Sequence, residues 1–207
     1  MDGVFMLKFI KVFLIAVLVV VLIYGITVGV DKYSLQQGLL RLHVVANSDS
    51  EADQQIKLQV RDAVIAALQE DMDRVGTKEQ AQALISSKLE KLERVANNVL
   101  AKAGVEDKAR VTLEREAFET REYDTFTLPA GVYDSLRITI GEGQGQNWWC
   151  VVFPSLCVGA ASEDVEDTAE DAGLSYSLSC AITGRREYRV RFFLLECIGR
   201  IENYFAK

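Results

Sequence analysis

The chain has 207 residues, with 30 acidic against 23 basic side chains, a formal charge of −7 and a single histidine. That balance excludes the basic face that nucleic-acid binding requires, and it disfavours tight docking on anionic lipid head groups. Two prolines and 14 glycines describe an ordered chain rather than a wall-spanning linker.

From Val12 to Val30 no side chain is charged, a run of 19 residues. As a helix rising about 1.5 Å per residue it reaches about 28 Å, close to the roughly 30 Å hydrocarbon core of a bilayer. Residues 9–30 are therefore read as a membrane segment, and residues 1–31 as a signal peptide or membrane anchor. Lys8 and Lys11 precede the run, whereas Asp31 and Lys32 cancel after it. This bias places the following residues on the outer side of the membrane. The run is longer than the usual signal core of roughly 7–15 residues. Thr27 and Gly29 nevertheless have the small-x-small spacing of a cleavage site, so both fates stay open.

The remainder, about 175 residues, suffices for one domain with a core of its own. Residues 39–46 alternate: Leu40, Leu42 and Val44 share one face, Arg41 and His43 the other, as in a half-buried strand. Asn47-Ser48-Asp49-Ser50 supplies N-cap chemistry for a helix carrying Ile56, Val60, Ala63, Val64 and Ala67 and ending near Gly76. Thr77 caps a second helix, whose stripe runs from Ala81 to Leu100 and stops at Gly104. Residues 111–118 and 125–128 read as strands, Pro129-Ala130-Gly131 as a turn, and 133–140 as an alternating strand. Gly141 to Gln146 is expected to be a flexible loop, and Trp148 to Phe153 a central strand, apolar on both faces. The order of elements predicts an α+β domain over residues 38–160, with two amphipathic helices packed on one face of a mainly antiparallel sheet. Residues 161–184, with six acids and no base between Ser162 and Asp171, form an acidic linker or loop. Residues 185–207 form a C-terminal amphipathic helix, with Val190, Phe193, Leu194, Cys197, Ile198, Ile201 and Phe205 on one docking stripe.

The candidate chemistry is sparse. Gly141-x-Gly143-x-Gly145 has Glu142 inside it, no neighbouring lysine, and leads into a strand, so it does not fit a phosphate loop. No CxxC pair exists and His43 stands alone, which gives no metal site and no cofactor. His43, Ser48 and Asp49 are contiguous rather than convergent, and neither a GxSxG elbow nor an HExxH helix is present. Asp49, Asp53 or Glu142 could supply carboxylates for a cell-wall hydrolase, but capping and solvation explain the two aspartates more simply. Trp148 and Trp149 point to opposite sheet faces. One is assigned to the core, and the other, beside the glycine loop, is a candidate partner anchor. In an oxidising compartment Cys150 and Cys157 could be bridged by a turn near Pro154, whereas Cys197 reads as a core residue.

Three stretches carry a family resemblance: LLRLHVVANSDSEADQQIKLQVRDAV (39–64), FTLPAGVYDSLRITIGEGQGQNWWCVVFPSLC (126–157) and the terminal RVRFFLLECIGRIENYF. With the apolar segment before them, they resemble stage II sporulation protein R, a signalling family of endospore-forming bacteria. Residues 162–184 depart from that likeness. The resemblance implies a non-enzymatic ligand that is made in the forespore and exported to the space between the two cells. There it would activate a membrane-embedded aspartic protease of the mother-cell membrane, which processes pro-sigma E. It implies no small-molecule substrate. Arg41, His43, Asn47 and Asp49, together with Gly143, Trp148 and Trp149, are the expected partner-binding residues, because they lie in the matching stretches. A membrane-anchored structural envelope protein is the remaining alternative.

Overall fold

The computed structural model describes residues 3–72, 74–123, 126–154, 179–180, 182–183 and 189–206. Four helices stand out among them: α1 (Gly3–Gly38), α2 (Glu51–Met72), α3 (Lys78–Lys102) and α4 (Arg189–Ala206). The strands are β1 (Leu40–Val45), β2 (Ala109–Phe118), β3 (Arg121–Glu122), β4 (Thr127–Leu128), β5 (Gly131–Ile140) and β6 (Asn147–Phe153). This is the expected α+β class. One sheet has the order β2-β5-β1-β6, with β1 and β5 parallel and the other two pairings antiparallel. The parallel pair follows from the helical crossover between β1 and β5, because parallel neighbours cannot be joined by a hairpin. β3 and β4 form a separate small ribbon.

The local signals read from the sequence explain α2 and α3. Ser50 caps α2, its Oγ accepting the Asp53 amide at 3.1 Å, and Glu51 and Asp53 lie at the positive end of the helix. Thr77 caps α3 by accepting the Gln80 amide, and Gly104 follows the helix with φ +72°. Their apolar stripes meet Leu40, Leu42, Val44, Leu136, Ile138 and Ile140 in one hydrocarbon core. At the edge strand β2, α3 also supplies polar groups. Asn97 exchanges two hydrogen bonds with the Ala109 backbone (2.9 and 3.0 Å), and Glu93 accepts the Val111 amide. These side chains satisfy edge groups that would otherwise invite pairing with another chain.

The opposite sheet face is also covered, contrary to the expectation of a half-buried β1. All six residues of β1 are buried. The cover consists of Val28 and Leu35 of α1, Leu39 just after it, Phe126 and Leu128 at the small ribbon, Ile182, and Leu195 of α4. Several polar ties hold α1 to the rest of the domain. Lys78 donates to the Gln36 carbonyl and pairs with Asp134, both at 2.5 Å. Glu202 of α4 receives Lys32 at 2.6 Å and the Gln36 amide at 2.7 Å. The sequence-derived stripe of α4 is split by this packing. Of its members, Leu194 and Ile198 turn inward beside Leu195, which lies outside the stripe, whereas Phe193, Ile201 and Phe205 are exposed. Cys197, expected in the core, is only half-buried.

The sheet therefore has two distinct ends. Leu40, Phe153 and Gly131 lie at the end where α1 enters and α4 docks. Val45, Asn147 and Ile140 lie at the other end. The five steps from Leu40 to Val45 separate the ends by about 17 Å at roughly 3.3 Å per residue.

Candidate functional site

Two polar constellations are organised by this framework. The first is buried under the second sheet face. His43 Nδ1 lies 2.9 Å from Glu116 Oε2, and the same carboxylate receives Arg137 at 3.2 Å. Burial opposes ionisation of Glu116, but the His43 hydrogen bond and the His43 and Arg137 charges outweigh it and hold its carboxyl below the ordinary range. The His43 ring stacks on Trp149, its cross-strand partner, with centroids 5.5 Å apart. Arg121 covers the outer face of that indole at 3.4 Å. Arg41, 0% exposed, places its guanidinium 3.9 Å over Phe118 and 5.1 Å from Tyr133, and donates to the Tyr123 hydroxyl at 2.9 Å. Its Nε and Nη1 have no hydrogen-bond partner among the described residues. A delocalised guanidinium tolerates such a site through ring faces where an ammonium would not.

The second constellation closes the far end of the sheet, where the β1–α2 turn and the β5–β6 loop are laced together. The Asn47 side-chain carbonyl accepts the Glu142 amide at 2.9 Å, and its main-chain carbonyl accepts that of Gln144 at 3.1 Å. Ala46 accepts the Gly145 amide at 2.9 Å, and Asp49 Oδ1 accepts the Gln146 amide at 2.7 Å. Ser48 donates to Asp53 at 2.5 Å, and Lys57 donates to the Gln146 carbonyl at 3.0 Å. Gly141 and Gly143 have φ of +56° and +63°, and a Cβ at Gly145 would run into the Ser48 carbonyl. The loop expected to be flexible is instead fixed on both sides, while Glu142, Gln144, Gln146 and Asn147 face solvent.

The seven expected partner-binding residues thus fall in three places. Asn47, Asp49 and Gly143 belong to the laced loops. Trp148 lies on the α2–α3 face, half-buried, with Arg61 over its ring at 4.6 Å. Arg41, His43 and Trp149 belong to the buried cluster; Arg41 and His43 are corrected from surface to interior residues, because α1, α4, Tyr123 and Phe126 cover them. Trp148 and Trp149 do point to opposite faces, and both are half-buried. Sequence reasoning missed Glu116, Arg121 and Tyr123. The available signal was the alternation of β2, which puts Glu116 and Phe118 on the face shared with His43. Cys150 is disulfide-bonded, and Cys180 and Cys197 are free thiols. Cys157 and nearly all of the acidic stretch 161–184 lie outside the described residues.

The comparisons with known proteins bear on what these surfaces serve. A family model for stage II sporulation protein R matches residues 36–163. Stage II sporulation protein R of Bacillus subtilis (strain 168) is 30% identical over 218 aligned positions, which cover 91% of this chain and 97% of that protein. The chain belongs to the stage II sporulation protein R family. Its role is accordingly in sporulation. No solved structure matches the chain. The family match begins at Gln36, inside the last turn of α1, and takes in all of β1 to β6 and both polar constellations.

Proposed function

We propose that this chain is an exported ligand that activates the membrane-embedded aspartic protease processing pro-sigma E in the mother-cell membrane. The signal is presented by the laced loops at the far end of the sheet. The observation that carries this reading is the polarity of the fold. The apolar helix α1 enters at one end of the sheet, and a rigid, solvent-facing loop pair closes the other end. A protein made on one side of a narrow gap and read on the other needs this division. One end is held by its own membrane, and a preorganised surface is offered outward. Preorganisation lowers the entropy lost when the partner binds.

The hydrolase alternative gains nothing from the geometry. Asp49 is engaged by the Gln146 amide, Asp53 by Ser48, and Glu142 stands exposed on the loop. The test is the fate of pro-sigma E in sporulating cells from which this gene has been deleted. Unprocessed pro-sigma E that is cleaved again when the gene is restored is the expected result. Normal cleavage in the deletion strain would contradict the reading.

A further inference from the structure

α4 carries a second face that the domain does not cover. Phe193, Ile201, Tyr204 and Phe205 are 61%, 60%, 77% and 81% exposed, and half-buried Cys197 sits between them. Positions 193, 197, 201, 204 and 205 follow helical spacing, so these side chains make one continuous stripe. Scattered exposed apolar residues are ordinary, but a contiguous aromatic stripe marks a contact surface.

The position of the stripe indicates what it meets. Glu202 of α4 is tied to Lys32 and Gln36 of α1, and Leu195 shares a core with Val28. The apolar run of α1 ends at Val30, and Gln36 lies six residues further on. At about 1.5 Å per residue, the Glu202 turn of α4 is docked within about 9 Å of the end of the run. The head-group layer on each side of a bilayer is roughly 5–8 Å deep, so α4 falls at interfacial depth. Tyr33, 64% exposed in the same stretch of α1, adds an aromatic of the kind that anchors helices at that boundary.

We propose that α4 is an interfacial helix whose Phe193–Phe205 stripe lies on the lipid surface beside the exit of α1. The inference rests on α1 residing in the membrane. The most apolar stretch of α1 is itself wholly uncovered by the domain. Insertion is driven by apolar area rather than by charge, since Arg200 beside the stripe is paired with Glu196 and the chain is acidic overall.

The test uses the full chain in phosphatidylcholine nanodiscs, with both free thiols removed (Cys180→Ala and Cys197→Ser) and single nitroxide labels at Phe193→Cys, Phe205→Cys, Val20→Cys or Glu142→Cys. Labels at 193, 205 and 20 should collide several-fold more with oxygen than with a water-soluble nickel complex, and the label at 142 should show the reverse. Nickel-dominated collisions at 193 and 205 with oxygen-dominated collisions at 20 would overturn the inference while leaving the membrane reading of α1 intact. Nickel dominance at all three would overturn both. Spin–spin broadening at 205 that vanishes on dilution with unlabelled chain would assign the stripe to a second copy instead, and would equally overturn it.

Discussion

The two faces of the sheet are stabilised by different chemistry. Under α2 and α3 lies a hydrocarbon core, to which Leu42, Leu136, Ile138, Val60 and Ile85 belong. Under α1 and α4 lies a mixed layer in which guanidinium groups, aromatic rings, an imidazole and a carboxylate are buried together. Hydrocarbon packing is tolerant of partner but intolerant of lost volume. The mixed layer depends on each polar atom finding its place. The chain thus has a generic half that holds the sheet together and a specific half that fixes α1 and α4 to it.

Substitutions on each face should separate the two. The largest effect is expected from Leu42→Ala, which opens a cavity in the first core; about 2–5 kcal/mol should be lost in urea unfolding of the detergent-solubilised chain. On the second face, a Cβ at Gly199 would strike the Ala130 carbonyl, so Gly199→Val must lift α4. We expect a loss of about 1–3 kcal/mol, accompanied by faster amide exchange in α4 and unchanged exchange in α2 and α3.

Within the mixed layer, removing different members should have opposite consequences. His43→Ala strips Glu116 of its buried hydrogen bond and should cost about 1–3 kcal/mol. Arg41→Leu removes a buried guanidinium with two nitrogens unmet among the described residues, and unfolding should show it near neutral or stabilising, by the logic of buried ions replaced by hydrocarbon. A large destabilisation by Arg41→Leu would show that the ring contacts outweigh desolvation.

The smallest effect concerns pH. Glu116 and Glu202 both ionise more readily in the folded chain, Glu202 because Lys32, the Val132 amide and Gln36 outweigh its burial. Their contribution is therefore fully present above the ordinary carboxylate pKa, roughly pH 4–5, and is lost as pH falls through the depressed folded values. Melting temperature followed downward from neutral pH should decline through this window. Glu116→Gln should flatten part of the decline, and a curve unchanged by that substitution would remove Glu116 from the linkage.

The same contrast decides what was legible in the sequence. Helical spacing, the Thr77 cap and Gly104 located α3 almost to the residue, because each is a local signal. β1 was placed within one residue at either end, yet its exposure was misjudged. Alternation shows that Arg41 and His43 share a face, but not that Phe118, Tyr133, Trp149 and Tyr123 will converge on it from four other segments. The stripe of α4 was too broad for a single interface, and periodicity could not say which part would turn inward. The glycine loop read as flexible because its stiffness comes from Asn47 and Asp49, about 95 residues earlier in the chain. Contacts of that range leave no trace in local composition.

The central claim is that the laced loops at the far end of the sheet deliver the signal. It is tested most directly by pro-sigma E processing in sporulating cells that carry Glu142→Arg with Gln144→Arg, at an accumulation equal to the unaltered chain. A matched control carries Glu90→Arg, an exposed position on α3. Processing lost in the loop variant and retained in the control is the predicted result. Normal processing with both loop residues reversed would contradict it and move the signalling surface elsewhere on the domain.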